Sequence, residues 1–276
     1  CRRRVARSVR EVVPYGELNV NGNSWPALAC GLLRLVGAQL LHGEQVAVAN
    51  AALPDLRLDA VMDHPLEVLR NWAALKRAAL DGPVLAITGS NGKTVVKEWM
   101  YQLLGNANNV HRTPGSFNSE IGVPLTLSSL KTGHSSAIVE VGIDRPGVMV
   151  RHEDLAHPKF GVFTNLGDAH NEHFDQDDQK FEEKWQLFAR CERVAMSKGW
   201  YDKAKTMGLT IPNPLLWGTG EALDPSDFPE LPFSGGHHLE NAMNAVAGAI
   251  LLGATVDEIR SRISTLGSTP SLSRPG

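Results

Sequence analysis

The sequence is poor in the features that mark several large classes of protein. Its three cysteines, Cys1, Cys30 and Cys191, lie far apart and lack metal-ligand spacing. That excludes a disulfide scaffold and a cysteine-built zinc site, and it fits a reducing compartment such as the cytoplasm. Long apolar runs are missing too. The most apolar stretch, Ala27 to Leu41, is broken by Arg34; it is too short and too charged for a membrane span and reads as a buried helix. The basic run Arg2-Arg3-Arg4 is not followed by the apolar core of a secretory signal. A formal net charge of -3 argues against a general nucleic-acid-binding surface. There is no internal repeat and no low-complexity tract. The first residue is Cys1 rather than methionine, so the natural start is expected upstream.

What is present is an ordinary globular composition, 42% hydrophobic and 21% charged over 276 residues, enough for two domains. Residues 1–80 read as a small α/β unit without chemistry of its own. Val12 to Leu18 has turn chemistry between short extended pieces. A helix is expected from Pro65 to about Leu80, with Leu66, Val68, Leu69, Trp72, Leu75 and Ala79 on one face. Asp81-Gly82-Pro83 stops that helix, and the boundary to a second domain, 81–276, is set there.

The second domain is organised around Pro83 to Thr94. An apolar run long enough for one buried strand breaks at Gly89, and Gly92-Lys93-Thr94 opens a helix whose apolar face is expected at Val95, Val96, Trp99, Met100, Leu103 and Leu104. Strand, glycine turn and helix N-terminus together make an anion cradle. Unpartnered first-turn N–H groups and the helix dipole favour a phosphate, Lys93 supplies a point charge, and the Thr94 hydroxyl is a magnesium ligand. The glycine of the general phosphate-loop pattern, five residues before Gly92, is absent: Ile87 stands there, so this loop is a shorter variant.

Beyond it, strands alternate with helices. Strands are expected at Asn109 to Arg112 (an edge), Ser135 to Val141, Phe160 to Asn165, Arg193 to Met196 and Leu215 to Trp217; helices at Asp177 to Cys191, with Phe181, Trp185 and Phe188 facing inward, and at Leu239 to Leu252. Such alternation implies a mostly parallel sheet covered by helices, with ligands beyond the carboxyl ends of the strands. Glu140 ends one strand there and Asn165 another. Glu140 is either a second magnesium anchor or a solvated strand-end acid. His170-Asn171-Glu172-His173 has its histidines three apart, where a helical zinc motif needs four, so a plain surface loop stands beside the metal reading. Lys184 alone reads as a solvated lysine, four residues after Lys180.

These stretches carry a resemblance. Ile87 to Thr94 is similar to the ATP loop of the Mur ligases, the ATP-dependent amide-forming enzymes of peptidoglycan synthesis. Asn118 to Leu127, Glu140 to Gly147, Thr164 to Phe174 and Leu239 to Ala245 resemble further segments of the D-alanyl-D-alanine-adding type, in the same order. The wording around Ile87 resembles most the form fused to an alanine racemase. The match is strong from about Ala79 to Leu252 and faint before that.

The resemblance implies an α/β fold: a small N-terminal domain for the nucleotide sugar (1–80) and a central ATPase-like domain (81–276). The chain ends about where a third, Rossmann-like domain would begin. It implies ATP and two magnesium ions as cofactors. The ATP-binding set is Gly89, Ser90, Asn91, Gly92, Lys93, Thr94, Asn165 and Asn241, the last on the adenine side. The metal ligands are Thr94 and Glu140 for one ion, and His170 with a carbamylated Lys184 for the other. Lys93, His170 and Lys184 carry the catalysis, while Asn118 and Ser116 lie near the acceptor. Implied partners are UDP-N-acetylmuramoyl-tripeptide and D-alanyl-D-alanine. The alternatives are a folyl-polyglutamate or diaminopimelate-adding ligase on the same fold, against which Asn118 and Pro146-Gly147 argue, or a nucleotide-binding homologue without catalysis. His173 departs from the family's usual glycine, and His237 from its usual arginine.

Overall fold

A computed structural model describes residues 17–20, 23–26, 65–105, 109–167, 177–211 and 213–267. The chain divides into two compact units, one of residues 1–78 and 124–131, the other of 79–123 and 132–276. The expected helix at Ala27 to Leu41 lies outside the described residues, as do Val12 to Gly16.

In the first unit, β1 (Glu17–Val20) and β2 (Asn23–Pro26) pair antiparallel. Helix α1 (Pro65–Ala78) has Glu67 in its first turn and Lys76 and Arg77 in its last, charges that suit the helix dipole. Its buried positions are Leu69 and Ala73. Leu75 and Ala79 do not share that face: Leu75 is 64% exposed and Ala79 is exposed beyond the helix end. Leu75 lies about 120° round the helix from Leu69, so its apolar character follows no buried stripe.

The second unit holds a six-stranded sheet in the order β4-β5-β3-β6-β7-β8, built from β3 (Val84–Thr88), β4 (Val110–Arg112), β5 (Ser136–Glu140), β6 (Phe160–Phe163), β7 (Arg193–Ser197) and β8 (Leu215–Trp217). All five pairings are parallel. β3 is buried at every residue, Thr88 included, as a strand covered on both faces must be. Helices α2 (Lys93–Leu103), α7 (Gly236–Leu251) and α8 (Val256–Ile263) share a core with Leu85, Ile87, Ile138 and Val162 of the sheet. α8 opens with a capping box between Thr255 and Glu258, which satisfies two otherwise orphaned N–H groups.

On the other face Phe163 packs edge-on against Phe181 (5.2 Å between ring centroids) and Trp200 (5.6 Å). These rings come from α5 (Asp177–Trp185) and α6 (Lys198–Thr206). Each such ring or aliphatic chain taken from water contributes about 1.5–3 kcal/mol. α4 (Val148–Ala156) joins α5 through the Met149 N–H, which donates to Glu183 at 3.0 Å. α3 (Gly122–Ser128) has only its first two residues in this unit; the rest fall in the segment 124–131 of the first unit.

Two expectations on these helices are corrected. The helix at Asp177 stops at Trp185 and continues as one 3-10 turn, Gln186–Phe188; Phe181, Trp185 and Phe188 are nonetheless all buried. On α2, Val95 is 39% exposed and the buried stripe takes in Lys97 instead, at 0%. A lysine on the inward face of an apolar helix needs a partner, and the site supplies it.

Candidate active site

The carboxyl ends of β3, β5 and β6 lie side by side, and three loops leave from them. The first, Gly89–Gly92, requires glycine twice. Gly92 has φ 79°, and a Cβ there would come within 2.1 Å of Asn241 Oδ1; at Gly89, φ 144°, it would come within 2.0 Å of Thr164 Oγ1. Both positions combine a left-handed backbone with a close approach that no side chain can share. No side chain caps α2, so its first-turn N–H groups remain for an anion.

Asn165 holds this loop from β6. Its carbonyl accepts from the Ser90 N–H (2.8 Å) and its Oδ1 from the Asn91 N–H (3.0 Å), while Thr164 Oγ1 donates to the Asn91 carbonyl (2.7 Å). The Ser90 hydroxyl is buried without a partner among the described residues. Lys93 Nζ folds back to donate to the carbonyls of Gly89 and Ser90, both at 3.0 Å. Burial lowers its pKa, and Glu140 opposes that.

Glu140 is 1% exposed, which overturns the solvated strand-end reading. Its backbone N–H donates to Thr113 Oγ1 at 2.9 Å. Its carboxylate accepts from Thr94 Oγ1 (2.9 and 3.1 Å) and from Asn118 Nδ2 (2.7 Å), and pairs with Lys97 Nζ at 3.5 Å. Hydroxyl and carboxylate thus meet beside the loop as an all-oxygen donor set that fits a hard divalent cation.

Lys184 is 2% exposed, so the solvated reading of this residue fails as well. Its Nζ donates to the Gly89 carbonyl at 3.1 Å. Burial above all, then the charges of Lys93 and Lys180, push its pKa down to about 7. Lys180, 1% exposed, donates to the Gly167 carbonyl. A cleft opens here, lined by Lys93, Asn118, Glu120, Gly142, Asp144 and Lys184.

The structure therefore brings together Gly89, Ser90, Asn91, Gly92, Lys93, Thr94, Glu140, Asn165, Lys184 and Asn118. Asn241, on α7, lies against Gly92. Ser116 is exposed, and its carbonyl accepts from the Asn118 N–H at 2.8 Å. His170 and His173 lie outside the described residues; among those described, no three His, Cys, Asp or Glu side chains group as a metal site. Sequence reasoning missed Lys97, Thr113 and the role of Lys180. The signal for Lys97 was there: it follows Lys93 by one helical turn and sits between Val96 and Met100 on the inward face.

Most of the chain is similar to known proteins. Residues 87–206 match the Mur ligase middle domain. The chain is 30% identical over 254 residues to the UDP-N-acetylmuramoyl-tripeptide–D-alanyl-D-alanine ligase of Synechocystis sp., covering 86% of this chain and 54% of that protein. In fold it is similar to MurF from Acinetobacter baumannii (TM-score 0.64, 24% identity, 80% of this chain and 56% of that one). It is similar also to MurF ligase from Thermotoga maritima, solved in complex with ADP (TM-score 0.62, 24% identity, 76% and 55%). The chain spans about half the length of the curated relatives it matches. Residues 87–206, the segment that holds the glycine loop, Glu140 and Lys184, are thus a Mur ligase middle domain.

Proposed function

We propose that this chain is the nucleotide- and acceptor-binding part of a cytoplasmic ATP-dependent amide ligase of peptidoglycan-precursor synthesis. It would join D-alanyl-D-alanine to UDP-N-acetylmuramoyl-tripeptide, with residues 81–276 serving ATP and residues 1–80 the nucleotide-sugar end. The carrying observation is the crevice itself: beside the uncapped start of α2, Lys97 pairs with the buried Glu140, Lys93 and Lys184 both donate to the Gly89 carbonyl, and Lys180 lies close enough to Lys184 to act on its charge. So much positive charge in so little water is built for a polyanion. The names of the relatives support the choice of substrates, and the Ile87 wording supports a linked alanine racemase in the natural chain.

A carboxylate does not react with an amine in water, because oxide would have to leave. Transfer of the γ-phosphoryl group of ATP to the acceptor carboxylate gives ADP and an acyl phosphate. The dipeptide amine then forms the C–N bond and loses a proton as phosphate departs. Lys93 neutralises charge on the outer phosphates, the first-turn N–H groups of α2 bind phosphate oxygens, and Asn165 keeps the loop in shape. Thr94 and Glu140 fit magnesium, which when bound would offset charge on the transferring phosphoryl group. Lys184 fits carbamylation: a buried amine with pKa near 7 is about half neutral at pH 7, and the neutral form can add to carbon dioxide, forming an N–C bond, losing a proton and becoming an anion. With His170 it would then hold a second magnesium. Asn118 and Ser116 lie on the acceptor side and Asn241 toward the adenine.

The test is phosphate release by the full-length natural protein with ATP and several muramoyl peptides, with and without D-alanyl-D-alanine. Release that requires both peptide and dipeptide is expected. Release without the amine would make this a nucleotide hydrolase, and ATP binding without release a catalytically silent homologue.

A further inference from the structure

Lys97 has no part in the proposed chemistry, yet it is the most deeply buried cation of the crevice. Its side chain is 0% exposed. Its ammonium donates to the Gly115 carbonyl and pairs with two carboxylates, Glu140 Oε2 at 3.5 Å and Glu98 Oε1 at 3.3 Å. These acceptors belong to three different segments. Glu140 ends β5, Glu98 is on α2 itself, and Gly115 is in the loop 113–118 that carries Ser116 and Asn118. Glu98 is held in turn by Arg112 Nε at 3.0 Å, and the Arg112 guanidinium stacks 3.7 Å from the Tyr101 ring centre. Asn118 and Lys97 grip the two different oxygens of Glu140. The two ends of the loop are fastened to β5 and its exit by Thr113, which bonds the Ile138 carbonyl and the Glu140 N–H, and by Asn118, which bonds Glu140 Oε1 and the Gly142 N–H; its middle, at Gly115, is tied to Glu140 through Lys97. Lys97 also sits one turn beyond Lys93 on the helix whose start forms the phosphate cradle.

We propose that Lys97 is a positioning residue that couples the phosphate side of the crevice to the acceptor side, by fixing loop 113–118 against Glu140 from the nucleotide-binding helix. This rests on the reading of the crevice as a nucleotide and acceptor site. Any shift of α2 as it receives a phosphate moves the ammonium, and with it the loop. The carboxylate that is to be phosphorylated then meets Asn118 in place only when the nucleotide is in place, which is the geometric condition for transfer.

The test compares the full-length protein with Lys97→Met and Lys97→Arg. The first removes the charge at nearly the same length. The second keeps a cation on Glu140, and so guards the fold, but its planar fork cannot aim at Gly115 and Glu140 as a compact ammonium does. Hydrogen exchange over residues 113–118 is measured with and without magnesium ADP, and KM is measured for ATP and for the muramoyl peptide. In the parent, ADP is expected to slow exchange in the loop about tenfold, and in both variants to bind but leave the loop unprotected. The peptide KM should rise about tenfold and the ATP KM less than about threefold, the pattern of a lost acceptor-side contact. Variants that keep the protection, or raise both KM values together, would overturn this inference alone. A parent that does not bind ADP would overturn the nucleotide reading and this inference with it.

Discussion

Two buried carboxylates divide the molecule into a place that works and a place that holds. Glu140, at the end of β5, is 1% exposed, and Glu153, on α4, is 4% exposed. Both accept several hydrogen bonds, but not in the same way. Glu153 is gripped by one arginine: Arg190 Nε donates to Oε1 at 2.6 Å and its second nitrogen to Oε2, reaching Asp154 Oδ1 at 2.5 Å as well. The fork fits the carboxylate and leaves it nothing to offer, and those two acids hold the Arg190 pKa above its usual value. Glu140 is shared among a hydroxyl, an amide and an ammonium from three segments. Such a group can exchange partners without unfolding anything. A saturated buried acid fastens a helix, and a shared one at a strand end is available to a ligand.

Four substitutions test this contrast, beginning with the largest effect. Lys93→Ala should lower ATP-dependent phosphate release by about a thousandfold or more, since it removes a charge placed for the transferring phosphates. Thermal unfolding should hardly move, and a large fall in Tm would erase the distinction. Glu140→Gln should cost about a hundredfold or more in the same assay while raising the magnesium needed for half-maximal activity; an unchanged magnesium dependence would remove Glu140 from the metal.

Glu153→Gln should do the reverse. It removes the charge from the buried half of the fork, leaving Arg190 only Asp154 as a charged partner, and costs about 1–3 kcal/mol in denaturant unfolding, with normal KM and kcat. Val95→Thr, on the exposed side of α2, should change stability by no more than about 0.5 kcal/mol; a larger loss would mean that the expected apolar face was right after all.

Lys184 adds a pH axis to the working side. Its folded pKa, about 7, lies below the ordinary lysine value of 10.5, so between these pH values the unfolded chain binds the extra proton. Stability contributed by this site therefore rises with pH across that window and is lost as pH falls toward 7. The slope should be at most about 1.4 kcal/mol per pH unit. Lys184→Met should flatten the profile by that amount, as measured by denaturant unfolding at a series of pH values. Activity should be lost in Lys184→Ala, and added bicarbonate should not restore it.

Much of this was legible along the chain, because its cause is local. The four apolar residues that open β3, the glycines at 89 and 92 and the amphipathic run after them signal strand, turn and helix through backbone geometry and periodicity alone. The edge position of β4 and the strand at Leu215–Trp217 were read in the same way. Failures came where a lysine or valine had to be assigned to one side of a helix. Val95 and Leu75 are apolar but face water, whereas Lys97, Lys180 and Lys184 are charged but buried.

The sequence by itself determined the order of strands and helices, the phosphate cradle, and the membership of residues 87–206 in their family, because each depends on neighbours in the chain or on a run of matching residues. Only the tertiary structure decided which charges are buried. A lysine enters the interior when distant segments present acceptors to it: the Gly89 carbonyl lies 95 residues from Lys184, and the Gly115 carbonyl 18 from Lys97. Pairing energies of that kind exist only once the sheet has brought its carboxyl ends together.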